Sequence, residues 1–177
     1  DRDVTGVQTC ALPISQPVIA RVHGIATAAG CQLVAQCDLA VATEDARFAT
    51  SGVNLGLFCN TPGVALARNV SRKRAMEMLL TGDFIDAPTA LAEGLVNRVV
   101  PAAKLDEAVG RFAASILRKT PVAIGAGKRT FYRQVEGGIE EAYALAAQAM
   151  VENMMTHDAP EGIDAFIGKR EPRYRGD

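Results

Sequence analysis

The sequence contains no tryptophan, and its only other aromatic residues are six phenylalanines and three tyrosines. A chain so short of large rings cannot build its interior around them, although 49% of its residues are hydrophobic. The core must come mainly from Ala, Val and Leu, whose small side chains let helices pack closely on a sheet. Charge of one sign is also missing, since 19 Lys and Arg stand against 20 Asp and Glu for a net charge of -1. With no long-range field to draw it to nucleic acid or to an anionic lipid surface, the chain must hold any anionic ligand by local contacts. The four cysteines, Cys10, Cys31, Cys37 and Cys59, are too sparse for a disulfide scaffold and lack the paired spacing of a zinc site. Reduced thiols and no metal site are expected. No apolar run approaches the ~18 residues of a membrane-spanning helix, so no membrane span is expected.

What is present is 177 residues, a length that suits one domain of roughly 100 to 200 residues. Residues 1–15, D-R-D-V-T-G-V-Q-T-C-A-L-P-I-S, show neither a helical nor a strand period. Val4 to Ile14 can be back-translated into codons that resemble a common short-read sequencing adapter, so residues 1–15 are expected to be a non-native, adapter-derived tail. From Pro17 the pattern becomes regular. Pro17 to Val22 reads as a buried strand ending at His23-Gly24, and Ala28 to Cys37 as a helix apolar nearly all round. Leu39 to Ala42 and Arg47 to Ala49 read as two further strands, an alternation that points to an α/β layer.

Thr61-Pro62 suggests an N-cap with proline in the first helical turn, and Ser71 caps the next helix, which ends at Gly82. Met76, Met78 and Leu79 are expected in the core of that region. Asp86 caps a short helix that stops at Gly94, and Val96 to Val100 reads as a strand closed by Pro101. From Leu105 onward only helices are predicted, with breaks at Thr120-Pro121, Gly137-Gly138 and Ala159-Pro160. The expected organisation is an α/β core over 16–104 followed by a helical region over 105–177.

The run from Pro17 to Ala42, P-V-I-A-R-V-H-G-I-A-T-A-A-G-C-Q-L-V-A-Q-C-D-L-A-V-A, resembles the signature of the crotonase (enoyl-CoA hydratase/isomerase) superfamily. Ala46-Arg47-Phe48, Met76 to Gly82 and Ala90 to Val100 continue the resemblance in order. Within the superfamily, A-T-A-A-G-C-Q-L-V-A and G-L-F-C-N-T-P-G-V-A-L-A-R are most similar to the enoyl-CoA hydratase domain-containing protein 3 group. The resemblance implies the C-terminal part of a crotonase spiral core, an α/β fold, followed by a helical oligomerisation region that builds a homotrimer or a hexamer. It also implies an acyl-CoA ligand, with coenzyme A as part of the substrate and no tightly bound cofactor. The compartment would be cytoplasmic in a bacterium and mitochondrial in a eukaryote.

The chemistry of the motif can be followed from its residues. A glycine turn at Gly24 delivers the chain to a helix whose first amides, near Ala28, Ala29 and Gly30, have no intrahelical acceptor. Such amides, read as outward donors, suit an oxygen that gains negative charge, as a thioester carbonyl does when it becomes an enolate. The resemblance assigns one backbone NH of the oxyanion hole to Ala29 and substrate contacts to Gly24, Ala26, Ala28, Gly30, Asn54 and Phe58. It further implies that Phe166 and Lys169 reach coenzyme A of a neighbouring subunit. The two glutamates that handle water in hydratases of the family fall on Gln32 and Gly52. Gln32 keeps a hydrogen-bonding amide but cannot take a proton, and Gly52 offers no side chain.

Replacement chemistry has weak candidates. His23 reads as a turn residue, Cys59 has no charged neighbour to activate it, and His157 beside Asp158 reads as a solvated loop residue. Three readings therefore stand: an acyl-CoA binder with slow or absent hydration, a working hydratase or isomerase with another base, and a non-catalytic regulatory or assembly subunit. A serine peptidase on the related ClpP-like fold lacks a G-x-S-x-G elbow here.

Overall fold

The structure is a computed structural model that describes residues 14–177, so most of the expected tail at 1–15, Cys10 included, lies outside the described residues. The chain divides into two compact units, with the division at Arg111–Phe112 and with Ser15 to Pro17 belonging to the second unit.

In the first unit, strand β1 (Ile19–Val22) leads through Gly24, at φ 74°, into β2 (Ile25–Thr27) and helix α1 (Ala29–Gln36). Strands β3 (Leu39–Thr43) and β4 (Arg47–Ala49) follow, and then a 3-10 turn at Ser51–Leu55 and helix α2 (Asn60–Leu66). Helix α3 (Arg72–Thr81), strand β5 (Ile85–Asp86), helix α4 (Ala87–Ala92) and strand β6 (Arg98–Val100) complete the α/β part. One sheet has the order β1-β3-β6, all parallel, with Ile19 opposite Leu39 and Val41 opposite Arg98. The other has the order β2-β4-β5, with β2 parallel and β5 antiparallel to β4.

Local chemistry explains several boundaries. The Ser71 hydroxyl accepts from the Arg74 N–H and the Asp86 carboxylate from the Thr89 N–H, so each satisfies an orphan donor at a helix start. Gly82, at φ 69°, ends α3 in the left-handed conformation that glycine adopts at low cost. Asp38 accepts from the Val18 N–H at 2.6 Å and thereby ties the start of β1 to the end of α1. The core is built around Phe48, Leu66, Met78, Val34 and Cys31 with many alanines, as the shortage of large rings requires.

Four expectations need correction. Strands β2 and β5 were not foreseen, because two or three residues carry no readable period. Helix α2 starts at Asn60 after Cys59, so Thr61 lies inside it, and Pro62 falls in the first turn, where its missing N–H is harmless. Met78 and Leu79 are buried, but Met76 is 47% exposed on the other face of α3. The break predicted at Ala159-Pro160 falls earlier, since both residues lie in the first turn of the last helix.

Helix α5 (Leu105–Leu117) begins in the first unit and runs into the second, where α6 (Pro121–Gln134), α7 (Ile139–Met154) and α8 (Asp158–Ile167) follow. Helices α6 and α7 pack against each other, and the Lys128 ammonium donates to the Gln16 carbonyl at 3.0 Å. The C-terminal segment folds back on α8. Buried Asp158 accepts from the Thr120 hydroxyl and from the N–H groups of Arg175 and Gly176, while Glu161 forms a two-point pair with Arg170 and accepts from the Arg173 N–H.

Candidate functional site

Strands β2 and β4 run side by side in parallel, with Thr27 opposite Ala49, so both end at the same edge of their sheet. Just beyond that edge β2 feeds the first turn of α1 and β4 feeds the 3-10 turn that carries Gly52. Ligands of open α/β sheets commonly bind outside the carboxyl ends of the strands, and this is where Ala29 and Gly52 stand.

Ala28 is the hinge of this edge. Its backbone has φ 48° and ψ -115°, a region that an alanine occupies only under strain. Its N–H donates to the Ala49 carbonyl at 3.0 Å, and its carbonyl accepts from the Gln32 N–H at 3.0 Å. Ala28 is therefore not one of the outward donors that the sequence suggested, because its N–H is already donated to the Ala49 carbonyl of β4. Ala29, exposed at the first helical position, has no intrahelical acceptor for its own N–H, and Gly30 follows with open space around its α-carbon.

Gln32, one turn into α1, is 4% exposed, and its Oε1 has no hydrogen-bond partner among the described residues. A buried amide oxygen of this kind needs a donor, which a ligand or an ordered water can supply. Gly52 is enclosed by its own loop. Its N–H donates to the Cys59 thiol at 3.3 Å, and its carbonyl accepts from the Leu57 N–H at 3.0 Å. A β-carbon placed on Gly52 would lie 2.6 Å from the Leu57 carbonyl oxygen and 2.7 Å from the Cys59 sulfur. Burial first, and then the neighbouring Cys59, push the Cys31 thiol up to about 12, so it is inert at neutral pH.

The other candidates fall at varied places. Gly24 makes the β1–β2 turn, and Ala26 is buried within β2. Asn54 packs its amide over Gly82 at the end of α3, and Phe58 is partly exposed. His23 is exposed, with its Nδ1 3.3 Å from an Arg21 nitrogen. Phe166, 84% exposed, and Lys169 both belong to the second unit, as does exposed His157, which precedes α8. The sequence reading missed one polar pair at the strand ends, the Thr27 and Ser51 hydroxyls at 2.8 Å. A lone Thr and a lone Ser 24 residues apart carry no signal that would have joined them.

Two cavities lie elsewhere: one of about 1100 Å³ between α8 and the C-terminal segment, and one of about 470 Å³ bordered by Arg47, Met78 and Phe84. Neither is lined by Ala29, Gln32 or Gly52, and the hydrogen-bonding geometry at the strand ends is the better guide to chemistry. Among the described residues, no cluster of three or more His, Cys, Asp or Glu could hold a metal ion, and no helix is long and apolar enough to cross a membrane.

A family model described as enoyl-CoA hydratase/isomerase matches residues 3–177. Enoyl-CoA hydratase domain-containing protein 3, mitochondrial, of Xenopus laevis is 53% identical over 161 residues, which cover 91% of this chain and 54% of that protein. The chain thus spans about half the length of the curated relatives it matches. The crystal structure of an enoyl-CoA hydratase from Mycobacterium smegmatis superposes with a TM-score of 0.94 at 57% identity, covering 96% of this chain and 66% of that one. That of human enoyl-CoA hydratase domain-containing protein 3 does so with a TM-score of 0.94 at 50% identity, covering 98% and 68%. The two parallel strand ends and the small-residue helix between them are therefore the C-terminal part of a crotonase fold, and the chain belongs to the enoyl-CoA hydratase/isomerase family.

Proposed function

We propose that the protein binds acyl-CoA thioesters and polarises the thioester carbonyl, with hydration slow or absent. The observation that carries this reading is the first turn of α1, where Ala28 is tied to β4 and Ala29 presents its N–H at the strand ends. An N–H fixed at a helix start suits an oxygen that gains charge in the reaction, because no reorganisation is needed when the charge appears. Gln32 accepts or donates a hydrogen bond beside that oxygen but neither takes up nor gives up a proton near neutral pH. Gly52 adds no group. A ligand carbonyl is thus activated with no carboxylate at positions 32 and 52 to move a proton to or from water.

The support for coenzyme A as carrier of the acyl group is membership of the family, and the compartment in a eukaryote would be mitochondrial, as the name of the Xenopus relative states. Assembly into a trimer or a pair of trimers, with Phe166 and Lys169 at a neighbour's coenzyme A, belongs to the same proposal.

The test is the carbonyl stretch of carbon-13-labelled butyryl-CoA bound to the full-length protein. The native protein should shift the band to lower frequency. Ala29→Pro, which removes this N–H at a helical position that accepts proline, should diminish the shift. An unshifted band in the native protein would contradict the proposal.

A further inference from the structure

We propose that the cavity of about 470 Å³ beside Arg47 and Phe84 binds a small zwitterion, a free α-amino acid with an apolar side chain. The site shares no residue with the strand ends described above, and its whole lining belongs to the first unit. Strand β4, helix α3, strand β5 and the start of α4 meet around it. The Arg47 guanidinium lies over the Phe84 ring, 4.7 Å from the ring centroid. Stacking of this kind holds the planar group in place without using any of its N–H donors. Those donors are free for a ligand, since Arg47 makes no ion pair and no side-chain hydrogen bond among the described residues.

Three carboxylates share the cavity with Arg47, and two of them are engaged. Asp86, directly opposite Arg47 in the β4–β5 pairing, accepts from the Thr89 N–H at 2.9 Å as the cap of α4. Glu77 accepts from Arg74 at 2.7 Å, and Arg74 donates at 3.2 Å to Glu93 as well. The third, Asp83, adjoins Phe84 in the chain, and its carboxylate has no partner among the described residues. An unpaired guanidinium and an unpaired carboxylate thus border one cavity. A simple anion at Arg47 would meet the charge of Asp83, and a simple cation at Asp83 would meet that of Arg47. A molecule with both charges satisfies both groups: its carboxylate takes the guanidinium fork, and its ammonium donates to Asp83. The deepest lining is apolar. Met78 and Ile85 are 1% and 8% exposed and Phe84 38%, which gives the ligand's side chain a hydrophobic surface to cover. A metal ion does not fit, because among the described residues Glu77, Asp83 and Asp86 form no group that could hold one.

The experiment titrates the full-length protein by calorimetry with L-leucine and with two probes that each lack one of its charges, isocaproate and isoamylamine. Leucine should bind, and each probe should bind roughly 10-fold or more weakly, the loss expected for one hydrogen bond to a charged group. Arg47→Gln should weaken leucine by roughly 10-fold or more and leave isoamylamine no weaker, because that probe has no carboxylate. Asp83→Asn should weaken leucine likewise and leave isocaproate no weaker, because that probe has no ammonium. Both side chains are exposed, and the crossing of probes with variants separates recognition from damage to the fold.

No binding of leucine at millimolar concentration, or a leucine affinity unmoved in either variant, would overturn the proposal. A probe that binds as tightly as leucine would make the site one for a single charge and overturn the zwitterion assignment. A loss shared by all three ligands would mark a structural role for these side chains and overturn it as well. The outcome stands apart from the acyl-thioester reading, since no residue of the strand ends is changed and no thioester is used.

Discussion

At the scale of single residues, Gln32 and Gly52 have unequal prospects of regaining acid chemistry. Glutamate nearly matches glutamine in shape, so Gln32→Glu fits the present backbone, and burial would raise its carboxyl toward the range useful for a base. Any β-carbon at position 52 collides with the Leu57 carbonyl and the Cys59 sulfur. Gln32→Glu should therefore raise crotonyl-CoA hydration above background, while Gly52→Glu should add none and should cost about 1–3 kcal/mol of stability, as overpacking does. Initial rates and urea midpoints of the two variants check this, and a folded, more active Gly52→Glu protein would refute the account of the loop. Ala28 leads to a prediction of opposite sign. Glycine tolerates the observed φ of 48°, so Ala28→Gly should stabilise the protein by on the order of 1 kcal/mol, read from the same midpoints.

At the scale of elements, the docking of the C-terminal segment on α8 depends on two carboxylates. Hydrogen bonds from Arg170 and from the Arg173 N–H hold Glu161 down at about 2, against an ordinary value of 4.5. Burial works to raise the Asp158 pKa, but the bonds from Thr120, Arg175 and Gly176 together lower it. Because both values are depressed on folding, the stabilisation is fully present above the unfolded carboxyl pKa. It is lost as pH falls through the folded values. Protection of the Arg173 amide, taken relative to its intrinsic exchange rate at each pH, should thus be high at pH 6 and should fall as pH drops from about 4.5 toward 2, the window between the unfolded and folded Glu161 pKa values. Protection of the Arg175 and Gly176 amides should fall as Asp158 takes up its proton. In an Asp158→Asn variant the Arg175 and Gly176 amides should already exchange faster at pH 6.

The same scale shows what the sequence could disclose. Helices with a side-chain cap or a glycine stop, such as α3 between Ser71 and Gly82, were legible because one residue at each end satisfies or frees a backbone group. Strand β2 was hidden, since three residues between a turn and a helix show no alternation. Without β2 the sequence does not show the pairing of Ala28 with Ala49, and Ala28 reads as a free donor. Ala29, Gln32 and Gly52 were found through the family motif, but the enclosure of Gly52 by Leu57 and Cys59 depends on the path of a loop that no local pattern encodes.

At the scale of the whole molecule, β1 stands at the edge of one sheet and β2 at the edge of the other among the described residues. Exposed strand edges pair with other chains, so residues 14–177 expressed alone should aggregate at micromolar concentration, as light scattering would show. In the second unit, Ile139, Tyr143, Met150 and Val151 leave an exposed apolar face on α7. Covering such a face between identical subunits fits the proposed trimer or hexamer, and sedimentation of the full-length protein as a monomer at micromolar concentration would contradict it.

The central claim is the proposal that Ala29 supplies a donor for the thioester oxygen while positions 32 and 52 supply no carboxylate to handle water. It is tested most directly by the turnover of crotonyl-CoA by the full-length protein, measured with a binding assay on the same sample. Loss of a positioned general base typically lowers a rate by about 10²- to 10⁴-fold, and two groups that act on one water need not double that loss in free energy. The account predicts that crotonyl-CoA binds and that its hydration stays at least 10²-fold below an ordinary enzyme turnover of about 10 per second. Hydration by the native protein at about 10 per second or more would contradict it.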